Sequence, residues 1–130
     1  ILLKFPSADK EVVEKAMTGK VYSDFPDRLD ILAVVSNESG FRRCPTDGSG
    51  SFGPMQVNIR YHEMDPALVC DPELNIHEGT KILRTYFRLL GSERAAILAY
   101  NAGPGNYRKG NYNEGYYEKF LRVRNSLRRL

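Results

Sequence analysis

Glu38 stands near the close of one of the most apolar runs in the chain, Ile31-Leu32-Ala33-Val34-Val35-Ser36-Asn37-Glu38-Ser39. On a helix, the residues three, four and seven positions earlier share a face, and for Glu38 these are Val35, Val34 and Ile31. A carboxyl leaning on such a face is short of water. Desolvation raises its pKa, so the group can keep a proton near neutral pH and pass it to a leaving group, which is the work of a general acid. The competing reading is a glutamate frayed into solvent beside Gly40.

Two later stretches could bring further chemistry to the same place. Gly50 and Gly53 allow close backbone approach to a ligand, and Gln56, next to Met55, can both donate and accept hydrogen bonds. Tyr100 and Asn101 close a second apolar run just before Gly103-Pro104-Gly105, where a phenol and an amide could reach a polymeric ligand or Glu38. Other patterns fail on inspection. Residues 48–53, GSGSFG, match G-x-G-x-x-G but follow no strand, so no dinucleotide site is expected. His62-Glu63 and His77-Glu78 begin H-E-x-x-H, yet Pro66 and Lys81 occupy the closing positions, so no zinc face forms. Asn37-Glu38-Ser39 is formally a glycosylation sequon but ends an apolar helix rather than an exposed loop. No metal and no cofactor is expected.

The elements that must position these residues read as mostly helical. Ser7 suits the N-cap of a first helix with Val12, Val13, Ala16 and Met17 on one face, ended by Gly19. Asp24 opens a second helix with almost no polar face, which must therefore be central. Residues 40–53 have the Gly, Pro, Asp and Ser density of an irregular loop. A short extended or partly helical piece follows over 54–59, and Asp71-Pro72 starts the clearest helix, which runs to Gly91. Ser92 caps the next, which stops at Asn101-Ala102-Gly103-Pro104-Gly105. After an Asn, Tyr and Gly loop, a terminal amphipathic helix carries Tyr117, Phe120, Leu121, Val123, Arg124 and Leu127.

The chain has 130 residues, 42% hydrophobic and 27% charged, with a net charge of +3. That length can bury one ordinary core, and the balance argues against intrinsic disorder. Arg122, Arg124, Arg128 and Arg129 gather near the C-terminus, but nothing interleaves them with aromatics as nucleic-acid readout would require. No stretch is long and apolar enough for a membrane span, and Ile1 to Pro6 is too short for a signal peptide. Ile1 in place of Met is consistent with removal of an upstream segment. Cys44 and Cys70 could join in a disulfide or remain two thiols.

In order along the chain, Glu38-Ser39-Gly40-Phe41, then Gly50-x-x-Gly53-x-Met55-Gln56, then Ala99-Tyr100-Asn101-Ala102-Gly103-Pro104-Gly105 resemble the catalytic domain of the soluble lytic transglycosylase family. Asp71-Pro72-Glu73-Leu74-Asn75-Ile76 with Gly79-Thr80 is similar to the family's link between its second and third motifs, and the resemblance covers residues 24–125. It implies a mainly α, lysozyme-like single domain over residues 1–130, with a small β or irregular element beside an active-site cleft. It also implies cleavage of the β-1,4 bond between N-acetylmuramic acid and N-acetylglucosamine in peptidoglycan. Glu38 would protonate the bridging oxygen, then take the proton of the muramyl 6-hydroxyl as a 1,6-anhydro ring closes. The substrate's own acetamido group would support the cationic centre, so that one acidic residue suffices. Ser39, Met55, Gln56, Tyr100 and Asn101 match positions that contact substrate or shape the cleft, with Tyr100 able to hydrogen-bond the catalytic carboxyl.

Two departures bear on the chemistry. Pro54 stands where the family commonly has Leu and removes a backbone donor from the cleft wall. Asp47 stands where a serine is usual. As a second acid it could orient water and favour hydrolysis; as a loop cap before Gly48 it leaves the transglycosylase chemistry in place. The alternatives are accordingly a goose-type lysozyme-like hydrolase and an inactive peptidoglycan-binding scaffold. The resemblance places the protein in the periplasm or cell envelope, where oxidising conditions suit a Cys44–Cys70 bridge. Its partners would be the glycan strands, and its small size suggests a fragment of a longer enzyme or a wall-opening tool attached to a secretion or other envelope assembly.

Overall fold

Side-chain caps set the helix boundaries in the computed structural model, which describes residues 4–129. Helix α1, Lys10–Thr18, starts at Asp9, whose carboxylate accepts the amides of Glu11 and Val12. Ser7 lies in the preceding turn and does not cap it, because Asp9 offers a charged acceptor to two free amides at once. Val12 and Ala16 are buried, whereas Met17, expected on the same face, is 46% exposed. Helix α2, Arg28–Ser39, begins three residues later than the sequence suggests: Asp27, not Asp24, is the N-cap, and it exchanges side-chain to backbone bonds with Asp30 in a capping box. Asp24 instead pairs with Arg84.

The segment read as loop contains half of a hairpin. Strand β1, Ser51–Phe52, pairs antiparallel with β2, Val57–Asn58, in the register Ser51 to Asn58 and Phe52 to Val57. Two residues per strand are too few for an alternation pattern to be visible in sequence. Helix α3, Pro72–Leu90, is capped by Asp71 and ended by left-handed Gly91, and α4, Glu93–Ala102, is capped by Ser92. The glycine and proline turn does not end helical structure altogether: Pro104 fits the first turn of a short helix, and α5, Pro104–Arg108, follows at once. Helix α6, Glu114–Arg128, is capped by Asn113.

Helix α2 is wrapped by the others. Ile31, Leu32, Ala33, Val34 and Val35 are all buried, and α6 lies along α2 while α4 packs on α3. Phe120 and Leu127 of α6 and Ala96 and Ile97 of α4 close over this core. One ionic group crosses it. Arg124 of α6 donates to Asp30 of α2 at 2.9 Å and to Glu93 of α4, and the Tyr117 hydroxyl donates to Glu93 at 3.1 Å. Asp30 is only 2% exposed, so removing Arg124 would strand a buried carboxylate.

The hairpin is fixed to α3 through Asn75, which is fully buried. Its amide donates to the Phe52 and Val69 carbonyls at 2.9 and 2.7 Å, and its oxygen accepts the Met55 amide at 2.8 Å. A Cβ at Gly53 would run into the Asn75 side chain, and its φ of 84° disfavours any other residue. Cys44 and Cys70 form a disulfide with Cα atoms 5.3 Å apart, joining the 40–50 loop to the start of α3.

Replacing both cysteines by serine opens a loop spanning 26 residues and is expected to lower the unfolding free energy by about 3 kcal/mol in the chain-entropy model. Urea titration would register this as a lower midpoint, and an unmoved midpoint would show that the bridge constrains nothing.

Candidate active site

Glu38 occupies the last turn of α2, two residues before Gly40 ends the helix in the left-handed region at φ 60°. The residue is only partly exposed, and Val34, Val35 and Ile31 behind it are buried. Its Oε2 accepts a hydrogen bond from the Tyr116 hydroxyl, which reaches across from the first turn of α6. Desolvation dominates and pushes the carboxyl from 4.5 up to about 7. The Tyr116 hydrogen bond and the positive charge of Lys119 act against that rise, and the Asp47 carboxylate adds to it. The frayed, solvated glutamate is therefore not what the structure holds.

Tyr100 and Tyr116 flank the carboxyl electrostatically. Burial drives both phenols well above their ordinary range, and the Glu38 charge raises each further. Only Tyr116 bonds to Glu38. The Tyr100 hydroxyl donates to the Met55 carbonyl at 2.6 Å instead, so its place is to tie the end of α4 to the hairpin turn. Tyr116 is not among the sequence candidates because the Asn, Tyr and Gly composition around it reads as loop, whereas it belongs to α6. The signal was present: Tyr116, Phe120, Val123 and Leu127 recur at helical spacing on one face. In the sequence Asn75 is only part of the segment that links the second and third motifs; in the fold it carries the hairpin.

The remaining residues fall into two groups. Gln56 and Asn101 line, with Tyr100, a cavity of about 570 Å³ bounded by the hairpin, α3, the end of α4 and α5. The Gln56 amide nitrogen donates to the Pro45 and Gly53 carbonyls at 2.7 and 3.1 Å, holding the turn while the residue itself adopts φ 52°. A non-glycine residue in that region is held there by its surroundings. Met55 and Ser39, by contrast, face inward. Met55 is fully buried, and a Cβ added at Gly79 would come within 2.7 Å of the Met55 Cβ, so the close approach of α3 requires glycine there. Ser39 donates to the Val35 carbonyl at 3.0 Å within the helix and is buried.

Asp47 is exposed and bound to its own loop, accepting from the Ser49 amide at 2.9 Å and the Ser49 hydroxyl at 2.6 Å; these bonds lower its pKa and keep it ionised. The Asn37 side-chain amide is buried, which closes the sequon to a glycosylating enzyme. Among the described residues, no three His, Cys, Asp or Glu side chains are placed to hold a metal ion. Two buried carboxyls have a raised pKa: Asp30, which Arg124 bonds, and Glu38, which stands next to Tyr100 of a cavity whose lining holds no acid.

The family model of the transglycosylase SLT domain matches residues 26–122. Protein IpgF of Shigella flexneri is 31% identical over 107 residues, covering 72% of this chain and 70% of that protein, and Protein IpgF of Shigella sonnei matches to the same extent. Among solved structures, the 70-kDa soluble lytic transglycosylase in complex with bulgecin A superposes with a TM-score of 0.63 at 21% identity over 95% of this chain. The 70 kDa soluble lytic transglycosylase of Escherichia coli gives 0.62 at 23% identity, also over 95%. This chain spans 23% of the length of each of those two. The shared fold is the mainly helical, lysozyme-like one that the sequence resemblance implied.

Because the raised pKa belongs to an acid, the folded chain binds this proton more tightly than the unfolded chain does. Stability is accordingly lost as pH rises from about 4.5 to about 7, and the loss is complete above that window. Glu38→Gln is thus expected to stabilise the protein by about 3 kcal/mol at pH 8 and to leave it unchanged at pH 4. Thermal unfolding at the two pH values would check this, and an equal effect at both would contradict the buried acid.

Proposed function

The chain belongs to the transglycosylase SLT domain family, and from that membership and the setting of Glu38 we propose that it cleaves the β-1,4 bond between N-acetylmuramic acid and N-acetylglucosamine in peptidoglycan with formation of a 1,6-anhydromuramyl end. The observation that carries the reading is the desolvated Glu38 carboxyl, held protonated up to about pH 7, oriented by Tyr116 and, unlike Asp30, not paired with an arginine. Residues 1–130 act as one catalytic domain on glycan strands of the cell envelope.

In the first half of the reaction, Glu38 gives its proton to the bridging oxygen as the bond from muramyl C1 to that oxygen breaks. The carboxylate left behind sits in an apolar setting, where it is a stronger base than in water. In the second half it removes the proton of the muramyl 6-hydroxyl while that oxygen bonds to C1. The proton count closes, Glu38 is restored, and no water is consumed. Tyr116 keeps the carboxyl on one rotamer through both halves, and its phenol donates most strongly to the ionised form. Gln56 and Asn101 line the cavity beside this centre; Asn101 offers its amide, and Gln56 the oxygen of its own, to sugar hydroxyl and acetamido groups.

What favours ring closure over hydrolysis is the condition of Asp47. Among the described residues both of its contacts go to Ser49 in its own loop, so it is held as a loop cap and not as a base for water. The geometry therefore favours the transglycosylase over the goose-type hydrolase. The intact Glu38 and Tyr116 pair argues against an inactive scaffold, since an acid on an apolar face destabilises the fold unless it serves a purpose.

Mass spectrometry of the fragments released from purified peptidoglycan is expected to find 1,6-anhydromuramic ends, with Glu38→Gln slower by at least about 100-fold. Reducible muramic ends would assign hydrolysis instead, and undiminished cleavage by the variant would remove Glu38 from the reaction. The rate is expected to fall as pH rises through about 7, as the acid loses its proton.

A further inference from the structure

Residues 44–46 hold the hairpin from one side, and residues 69 and 70 hold it from the other. The Pro45 carbonyl accepts both the Gly53 amide at 3.2 Å and the Gln56 side-chain amide at 2.7 Å. Thr46 forms an isolated antiparallel bridge with Phe52. On the far side, the Val69 carbonyl accepts from the same Asn75 nitrogen that donates to Phe52. The Cys44–Cys70 disulfide joins these two flanks, each cysteine next in sequence to one of the two carbonyls. The bridge is therefore part of the frame that holds Gln56, which lines the cavity at φ 52°, a conformation that its surroundings must sustain.

The helical core stands apart from this frame. Neither cysteine belongs to the buried cluster that α2, α4 and α6 close, and the bond from Tyr116 to Glu38 runs between α6 and α2. Opening the bridge thus loosens the Pro45 segment while the helices stay packed. Cys44 is exposed and Cys70 half-buried, so the Cys44 sulfur is the one open to attack. Building on the transglycosylase reading, we propose that Cys44 and Cys70 are a positioning pair for Gln56, and that a dithiol switches the site through them. One thiolate of the dithiol bonds to the Cys44 sulfur as the bond between the two cysteine sulfurs breaks and Cys70 leaves as a thiolate. The second thiolate then attacks the reductant's own sulfur in this mixed disulfide and displaces Cys44. Two electrons and two protons pass to the cysteines, which end as thiols, and the dithiol ends as a disulfide. With the bridge open, Pro45 no longer holds the Gln56 amide, and the glycan is bound less tightly.

The test compares the oxidised protein, the same protein reduced with dithiothreitol, and the double variant Cys44→Ser, Cys70→Ser. Reduction is expected to raise KM for glycan strands about tenfold, as the loss of one well-placed hydrogen-bonding group gives. The kcat is expected to stay within about twofold, because Glu38 and Tyr116 are untouched. The helical signal in far-UV circular dichroism should persist, and oxidised glutathione should restore the low KM. The double variant should show the raised KM and no response to the reductant. An unchanged KM on reduction, or a low KM in the double variant, would overturn the proposal. Loss of the helical signal on reduction would overturn it too, since the bridge would then support the whole fold. Calorimetric binding of a peptidoglycan tetrasaccharide to Glu38→Gln, in both redox states, separates the switch from the reaction. Weaker binding after reduction, in a protein whose parent cleaves nothing, would uphold the switch and refute the transglycosylase reading, whereas cleavage with unchanged binding would do the reverse.

Discussion

A carboxylic acid kept short of water at the end of a buried helix is the constraint that the rest of this structure serves. Raising the Glu38 pKa from 4.5 to about 7 means that the charged form costs about 3 kcal/mol relative to the solvated one. That cost is tolerable because α2 buries Ile31, Leu32, Val34 and Val35 at the same time, each contributing roughly 1.5 to 3 kcal/mol. The helix that creates the desolvated site is thus also the one whose burial outweighs its cost. Tyr116 adds direction, turning a group that could swing outward into one fixed by α6.

On the proposed chemistry, keeping α6 against α2 is a functional requirement as well as a structural one. Arg124 does much of this by bridging Asp30 near the start of α2 and Glu93 at the start of α4, with Tyr117 completing the group. Buried ion pairs add little net stability compared with apolar packing, but breaking one is costly, so they favour one arrangement over its neighbours. Here the arrangement selected is the one that brings Tyr116, a single helical turn along from the cap at Asn113, to Glu38. On the other wall, Asn75 holds the hairpin by two hydrogen bonds, to Phe52 and Met55, and the segment before α3 by a third, to Val69, while Tyr100 bonds to the Met55 carbonyl in the hairpin turn. The hairpin wall of the cavity is therefore fixed by Asn75 from behind and by Tyr100 on the lining itself.

The sequence revealed those parts of this that are periodic or chemically abrupt. The apolar run of α2 ending in Glu38, the Asp71-Pro72 start and Gly91 stop of α3, and the Ser92 cap of α4 are all visible in residue types. Choosing among several capping residues was harder, since Ser7 and Asp9, or Asp24 and Asp27, differ only in which free amides they reach in three dimensions. The β1 to β2 hairpin is too short for any alternation. Tyr116 was obscured by the loop composition around it, and the choice of Met55 rather than Glu38 as the Tyr100 partner depends on the relative height of α4 and the hairpin, which no pattern in one dimension encodes. Met55 and Ser39 were grouped with the cleft by resemblance, while their burial assigns them to its foundation.

The most direct measurement is the titration of the Glu38 side-chain carboxyl carbon by NMR in the wild-type protein, with Tyr116→Phe alongside. The account predicts a midpoint near 7 in the wild-type protein, and a higher one in the variant, because the hydrogen bond that favours the charged form has been removed. A midpoint near 4.5, or no response to the loss of the Tyr116 hydroxyl, would mean that the carboxyl is solvated and free, and the general-acid account would fail with it.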